Sequence, residues 1–130
     1  MNTKGGSGMP LQSTIHSYHA HVYYDPDSDS KAQAARLRES IATQFTTQLG
    51  RWHDVPVGPH TQAMYQVAFA VDVFPAIVPW MMLGRGSLTI LVHPNTGRPR
   101  DDHLLHALWM GAILPLKGET LPEFEPPRSS

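Results

Sequence analysis

Segments with the two-residue period of a β-strand alternate along this chain with segments that have the longer period of an α-helix. The clearest strand pattern covers residues 15–24, where aromatic and β-branched residues are frequent. The spacing of Leu37, Ile41 and Phe45 predicts a helix over residues 31–49, with Gly50 as its stop. Further strands are predicted over residues 52–57, 64–71 and 87–92, and a second helix over residues 74–83.

This order of elements, βαββαβ, predicts an α+β, ferredoxin-like fold with an antiparallel four-stranded sheet. Helices cover one face of such a sheet, so a partner or the C-terminal segment must cover the other. We expect the C-terminal segment over or beside this open face, with Asp102 capping a short helix that runs through Trp109. A single domain is predicted over residues 13–121, with flexible tails over residues 1–12 and 122–130.

The composition limits the partners that the chain can have. Ten basic and eleven acidic residues give a net charge of −1, so we expect no surface for nucleic acid or acidic lipid. No apolar run is long enough to span a bilayer, and the N-terminus has no secretory pattern. We therefore expect a cytoplasmic protein. An apolar sheet face left open to water favours a homodimer.

Histidine is the residue type that points to chemistry, because the chain has eight histidines and no cysteine. Strand side chains alternate, so His19 and His21 share the open face while Ala20 faces the helices. The first and fourth strands are antiparallel neighbours in this topology, which brings His93 close to His19. These three histidines predict a metal or catalytic site on the open face. The loop of His60 is expected at the opposite end of the sheet.

Each of these histidines also has a simpler explanation. A His-x-His pair on a strand is common at ordinary surfaces and interfaces, and His93 can simply end a strand before Pro94. His60 fits a plain turn, and His103 and His106 fit the solvated side of a helix. Only the expected convergence of several histidines on one surface favours a site.

The available ligands narrow the choice of metal. Imidazole without thiolate suits iron, zinc, nickel or copper. Two or three histidines with open coordination positions fit non-haem iron(II) or a catalytic zinc ion. Asp101 or Asp102 could add a carboxylate ligand, or could orient a histidine through a hydrogen bond.

Five short motifs occur in a fixed order between residues 15 and 112. They are Tyr-His-Ala-His-Val-Tyr-Tyr at 18–24, Gly-Pro-His at 58–60, Met-Tyr-Gln-Val-Ala-Phe at 64–69, the run 88–97, and Asp-His at 102–103 with 106–111. Together they resemble the DOPA 4,5-dioxygenase family of small non-haem iron extradiol dioxygenases. The stretch from Arg98 to Asp101 departs from the family pattern, because it is basic where an acidic run is expected.

The resemblance implies that dioxygen opens a catechol ring, such as that of L-DOPA, beside its hydroxyl pair. Iron(II) is the implied metal, with zinc or nickel possible in the purified protein. The expected metal ligands are His19, His21 and His93. The expected proton carriers are His60, His103 and His106. The two remaining histidines, His16 and His53, receive no role.

Substrate contacts and the class of function stay open at this point. Tyr23, Trp52 and Trp109 are candidates for stacking on the aromatic ring, although Trp109 also fits core packing. An amino-acid substrate needs a cationic partner for its carboxylate, for which the candidates are Arg51, Arg85, Arg98 and Arg100. Two other functions compete: a dimeric ferredoxin-like module that binds a small molecule or metal without turnover, and a hydrolytic zinc enzyme.

Overall fold

A computed structural model describes residues 14–126 of the chain. The strands are β1 (Ser17–Tyr23), β2 (Gln48–Leu49), β3 (Met64–Phe69), β4 (Thr89–Asn95) and β5 (Leu108–Met110). The α-helices are α1 (Ser30–Gln44), α2 (Phe74–Gly84) and α3 (Pro99–Leu104), and short 3-10 turns cover Val71–Val73 and Gly118–Thr120. The strands form one antiparallel sheet in the order β2-β3-β1-β4-β5.

The predicted ferredoxin-like arrangement is confirmed for the first four strands, with β1 between β3 and β4. The helices α1 and α2 pack on one face of this sheet. Their buried residues Ala34, Ile41, Ile77 and Met81 belong to the same apolar cluster as Ala20, Val22, Val67, Ile90 and Val92 of the strands. The main core is therefore the layer between the sheet and these two helices.

The second strand was predicted in the wrong place. Helix α1 ends at Gln44, and Phe45 has the extended backbone angles φ −133° and ψ 152°. The chain then pairs with β3 at once, through β2, instead of continuing as a helix to residue 49. Residues 52–57 make only one isolated bridge, between His53 and Met64. Pro56 has no N–H to donate, which makes this segment a poor strand.

The third helix is shorter than predicted, and Asp102 does not cap it. The helix begins at Pro99, a position that suits proline because the first N–H groups of a helix have no partner within it. It ends at Leu104, and the chain returns to the sheet as β5. Trp109 pairs with Leu91 of β4, so an aromatic residue assigned to a helix lies in a strand. The sheet consequently has five strands where four were predicted.

The face of the sheet opposite the helices is covered from within the chain. Tyr23, Met64 and Leu91 form a second apolar cluster there, and Trp109, Leu114 and Leu116 are among the residues that pack on it. The C-terminal segment thus lies over the open face, as expected. This cover removes the physical reason for which a homodimer was expected, so the oligomeric state stays a prediction.

The long loop between β2 and β3 is fastened to this C-terminal segment. Lys117 N–H donates to the Pro59 carbonyl at 2.8 Å, and Thr61 Oγ1 donates to the Pro115 carbonyl at 2.9 Å. The loop therefore folds over the same sheet face as the segment, and this determines where its single histidine lies.

The predicted tails fall at the limits of the described chain. Residues 1–13 and 127–130 lie outside it, whereas residues 122–126 make hydrogen bonds: Arg100 N–H donates to the Pro122 carbonyl, and Glu125 N–H donates to the Gly97 carbonyl. Within residues 14–126, no helix is long and apolar enough to cross a membrane. The single domain and the cytoplasmic location remain predictions.

Candidate metal centre

Five histidines from four parts of the chain meet on the sheet face opposite α1 and α2. His19 and His21 project from β1, and His93 projects from β4, where its Cα pairs directly with that of His19. His103 lies on α3, and His60 comes from the loop between β2 and β3. The alternation of β1 therefore places its histidines on this face while Ala20 and Val22 join the core on the other.

Two groups of three histidines in this cluster have ligand atoms close enough to hold a metal ion. In each group the candidate ring nitrogens lie within 4.8 Å of one another. The groups are His19, His21 and His93, and His21, His60 and His103. His21 belongs to both. The first group is the set predicted as metal ligands.

The closest contact in the cluster joins the Nε2 atoms of His21 and His93, which are 3.1 Å apart. Two imidazole nitrogens that bind one metal at about 2.0–2.1 Å, at adjacent coordination positions, are themselves about 3 Å apart. The separation of this pair therefore fits two ligands of one ion. His21 Nδ1 is buried and has no hydrogen-bond partner among the described residues.

Backbone carbonyls fix the proton positions on two of the rings. His93 Nδ1 lies 2.9 Å from the Pro94 carbonyl, and His103 Nδ1 lies 2.7 Å from the Pro99 carbonyl. A carbonyl can only accept, so each Nδ1 carries the hydrogen and each neutral ring keeps its lone pair on Nε2. Such a bond is the usual support of a metal-binding or proton-accepting histidine.

His60 has a partner of a different kind. Its Nδ1 lies 2.7 Å from the hydroxyl of Tyr23. A phenol can donate or accept, so this ring can carry its hydrogen on either nitrogen. Burial raises the pKa of Tyr23, which keeps the phenol protonated near neutral pH. When the phenol donates to Nδ1, the hydrogen of His60 lies on Nε2.

Burial keeps the cluster uncharged. It lowers the pKa of His21 and of His93 well below the usual value, and the neighbouring histidines add to the effect. It also lowers the pKa of His60 to about 4. The pKa of His103 is lowered by burial and partly restored by its bond to the Pro99 carbonyl and by the charge of Asp102. Neutral imidazoles are the form that binds a metal ion.

The cluster opens into a cavity of about 480 Å³. Its walls come from the sheet, from the loop after β4 and from the C-terminal segment. The lining residues are His16, Ser17, His19, His21, Pro59, His60, Gln66, His93, Asn95, Gly97, Pro99, Asp102, His103, Leu121, Pro122, Glu125 and Pro126. Cavities of this size accommodate small organic ligands.

Asp102 lines the cavity but belongs to neither group of three histidines. Its Oδ2 accepts from Thr96 N–H at 2.9 Å, and its Oδ1 accepts from Thr96 Oγ1 at 2.7 Å. The carboxylate therefore anchors the turn after β4 to α3, which explains its burial without a metal. Asp101 is also absent from the candidate ligand groups of the described residues.

Several predicted site residues lie elsewhere. His106 is exposed and lines a separate, mostly apolar cavity beside Tyr18 and Phe74. Trp52 packs against Tyr65 on the helix side, so it cannot stack on a ring held by the histidines. Tyr23 and Trp109 stack on each other, 6.0 Å apart, in the second apolar cluster. None of the proposed stacking residues lines the cavity, because each is used in packing.

The four candidate arginines are also not among the residues that line the cavity. Arg100 donates to the carbonyls of Gly118 and Leu121 and pairs with Glu123 at 2.8 Å. Arg85 donates to the Leu88 carbonyl. These guanidinium groups hold the chain together, and neither is the predicted partner for a substrate carboxylate in the cavity.

The position predicted for His60 is wrong. Its ring centroid lies 4.2 Å from that of His21, inside the cluster. The loop between β2 and β3 crosses the sheet face to reach the C-terminal segment, and the bridge from His60 to Leu116 fixes it there. No periodic pattern in the sequence describes this path.

Other lining residues were missed by the sequence analysis. Gln66 could have been found, because the antiparallel register of β1 and β3 pairs it with His21 on the histidine face. His16, which received no role, lines the cavity, whereas His53 only bridges Met64. Glu125 had no signal, since its segment reads as a polar tail.

Fold and site together define a ferredoxin-like α+β protein with a buried, neutral histidine cluster able to hold a metal ion. The model of the Dopa 4,5-dioxygenase family matches residues 18–120. The chain belongs to this family. The match includes both groups of candidate ligands.

Individual relatives agree with this assignment. An uncharacterised 21.2 kDa protein of Botryotinia fuckeliana is 39% identical over 118 residues, and the DOPA 4,5-dioxygenase of Amanita muscaria is 32% identical over 132 residues. The alignments cover 82% and 94% of this chain but only 64% and 58% of those relatives. The chain thus spans about three fifths of the length of either.

A solved structure is similar over nearly its whole length. It is a crystal structure from Nostoc punctiforme, described as that of "a putative dioxygenase", with 48% sequence identity and a TM-score of 0.82. The match covers 86% of this chain and 96% of that one. The five-stranded arrangement is therefore shared with a protein of known structure.

Proposed function

We propose that this chain is a non-haem iron(II) extradiol dioxygenase that opens a catechol ring, such as that of L-DOPA, with dioxygen. The observation that carries the proposal is the His19–His21–His93 group, whose ligand atoms lie within 4.8 Å of one another beside a cavity of ligand size. The relative from Amanita muscaria that carries the name DOPA 4,5-dioxygenase supports the substrate class.

In this proposal His19, His21 and His93 hold the metal, with zinc or nickel as ions that can replace iron during purification. When bound, iron(II) supplies open coordination positions at which a catechol and dioxygen meet. The chain contributes three neutral imidazoles and a wall that excludes bulk water. His93 is oriented for this role by its bond to the Pro94 carbonyl.

The remaining two histidines of the cluster are proposed to move protons. His103 keeps its lone pair on Nε2, so it can accept a proton from a catechol hydroxyl. His60 can return a proton from Nε2 and recover the balance through the Tyr23 hydroxyl on its other nitrogen. His106 lies outside the cluster and takes no part in this proposal.

The test is anaerobic reconstitution with iron(II), followed by addition of L-DOPA and then of oxygenated buffer. Ring opening should consume one dioxygen per catechol and yield a yellow semialdehyde, identified by its visible absorption and its mass. The His93→Ala variant serves as the control and should give neither. Absence of oxygen uptake across several catechols, in protein that retains iron, would contradict the proposal.

A second candidate is a metal-binding module without turnover. Two overlapping histidine groups that share His21 favour tight metal binding but do not by themselves require a reaction. This function predicts stoichiometric metal binding together with failure of every catechol in the assay above. A hydrolytic zinc enzyme would show the same failure, with ester hydrolysis by the zinc-loaded protein.

A further inference from the structure

The cavity extends along β1 away from the histidine cluster. Strands rise by about 3.3 Å per residue, so Ser17 lies about 13 Å from His21 along this floor. The far end is formed by Ser17 and Asn95, whose side chains are joined by a hydrogen bond of 3.0 Å, and by Gly97 and Glu125 of the adjoining segments. A catechol ring held at the histidines would therefore direct its side chain toward this end.

Glu125 is fixed at the far end by its backbone. Its N–H donates to the Gly97 carbonyl at 2.7 Å. Gly97 has φ +91°, and a Cβ at this position would lie 3.0 Å from the Glu125 carbonyl oxygen. The close approach of the two segments depends on the glycine, and it places an acidic residue where the side chain of a substrate would end.

The charges that line the cavity have one sign. Besides histidines, its ionisable lining residues within the described chain are Asp102 and Glu125, and no lysine or arginine is among them. Both oxygens of Asp102 accept hydrogen bonds from Thr96. Glu125 is thus the acidic residue best placed to meet a substrate group.

Two cationic side chains near the far end are engaged with other groups. Arg100 donates to two carbonyls of the C-terminal segment and pairs with Glu123. The guanidinium of Arg98 lies 5.5 Å from the centre of the Phe124 ring. A substrate carboxylate would therefore meet Glu125 without a compensating cation from the lining residues.

We propose that Glu125 makes the site selective for catechols whose side chain carries an ammonium group. The inference rests on the proposed function and names the substrate class of the same cavity. Glu125 pairs with the ammonium at the far end while the histidines hold the hydroxyl end. A charge-assisted hydrogen bond of this kind is about twice as strong as a neutral one. A catechol with an anionic side chain is repelled at the same place.

Binding can be measured without turnover, by calorimetry on the zinc-loaded protein in the absence of oxygen. Four catechols differ in side-chain charge: dopamine, L-DOPA, 4-methylcatechol and 3-(3,4-dihydroxyphenyl)propionate. The parent protein should bind dopamine about tenfold more tightly than 4-methylcatechol, and the propionate most weakly. Glu125→Gln should bring the ratio of dopamine to 4-methylcatechol close to one. Glu125→Lys should reverse the order in favour of the propionate.

The matched control is Glu119→Gln, which removes the same charge from an exposed residue that does not line the cavity. It should keep the preference of the parent. An unchanged dopamine preference in Glu125→Gln, or an equal loss in Glu119→Gln, would overturn the inference.

The same ligands separate this inference from the proposed function. Charge preference without ring opening by the iron-loaded protein contradicts the dioxygenase and leaves the role of Glu125 supported. Ring opening without charge preference contradicts the role of Glu125 alone. Failure of all four catechols to bind overturns both.

Discussion

His21 and His93 face each other from adjacent strands with their Nε2 atoms 3.1 Å apart. The Pro94 carbonyl holds the hydrogen of His93 on Nδ1, so the Nε2 of this neutral ring has only a lone pair to present. Two lone pairs at this distance repel, and the pair is stable only when a proton or a cation lies between the nitrogens. A metal ion can therefore take the place of a single shared proton.

The two histidine groups make opposite predictions for metal retention. If the His19–His21–His93 group holds the ion, His19→Ala and His93→Ala should weaken metal binding by more than about 100-fold, because each removes a ligand. His60→Ala should retain the metal. The measurement is metal content by mass spectrometry after dialysis against a graded chelator.

His106→Ala is the control for this series, because His106 is exposed and outside the cluster. It should keep the full metal content. Loss of metal in His60→Ala with retention in His19→Ala would transfer the site to the second group.

Tyr23→Phe should separate proton transfer from binding. The change removes the hydroxyl that contacts His60 Nδ1 and keeps the ring that stacks on Trp109. We expect kcat to fall about 10- to 100-fold with little change in KM or metal content, since only the proton relay is altered. Steady-state oxygen uptake measured over a range of pH checks this.

Tyr65→Phe provides the comparison for that variant. The Tyr65 hydroxyl donates to the Ala34 carbonyl on the helix side, far from the cavity. Its loss should lower the free energy of unfolding by about 1 kcal/mol and leave kcat unchanged. Equal kcat values for the two variants would remove Tyr23 from the proposed relay.

The metal-free protein should lose stability in mild acid. The pKa of His60 is about 4 in the folded chain and about 6.5 when unfolded. Between these values the unfolded chain binds a proton that the folded chain does not, so the free energy of unfolding falls as pH falls. His60 alone accounts for about 3 kcal/mol of this loss, and His21 and His93 act in the same direction.

Urea unfolding of the metal-free protein from pH 7.5 to about 4 measures this loss. The His60→Gln variant should show a flatter dependence on pH, because its share of the proton uptake is gone. The same slope in both proteins would contradict the assignment of the effect to His60.

Arg100→Ala should loosen the C-terminal wall of the cavity. Arg100 donates to the carbonyls of Gly118 and Leu121 and pairs with Glu123. Losing these bonds should cost about 1–3 kcal/mol and increase hydrogen exchange over residues 118–126. Arg36→Ala, a change at an exposed position on α1, should do neither. Exchange in this segment that matches the parent would show that other contacts suffice to hold it.

The sequence predicted those parts of the site that follow from strand periodicity. Alternation in β1 placed His19 and His21 on one face, and the expected pairing of β1 with β4 brought His93 beside them. His60 could not be placed, because its loop is positioned by contacts to a segment more than fifty residues later in the chain, such as Thr61 to Pro115. Such distant partners leave no local pattern.

The errors in the helices and strands have the same origin. Gln48 and Leu49 form a strand because β3 offers them partners, although the pattern before them favours a longer helix. Trp109 likewise completes the sheet instead of extending α3. Pairing partners that are distant in the chain override local propensity at both edges of the sheet.

Strand β1 supplies the core on one face and the candidate ligands on the other, in alternate residues. A shift of its pairing by one residue would move His19 and His21 into the layer beneath the helices and push Ala20 and Val22 out of it. Such a misfolded chain would lose its ion at the same moment as its core. Bound metal is consequently a report on the alignment of the central strand, and its presence during folding penalises every misaligned form of the sheet.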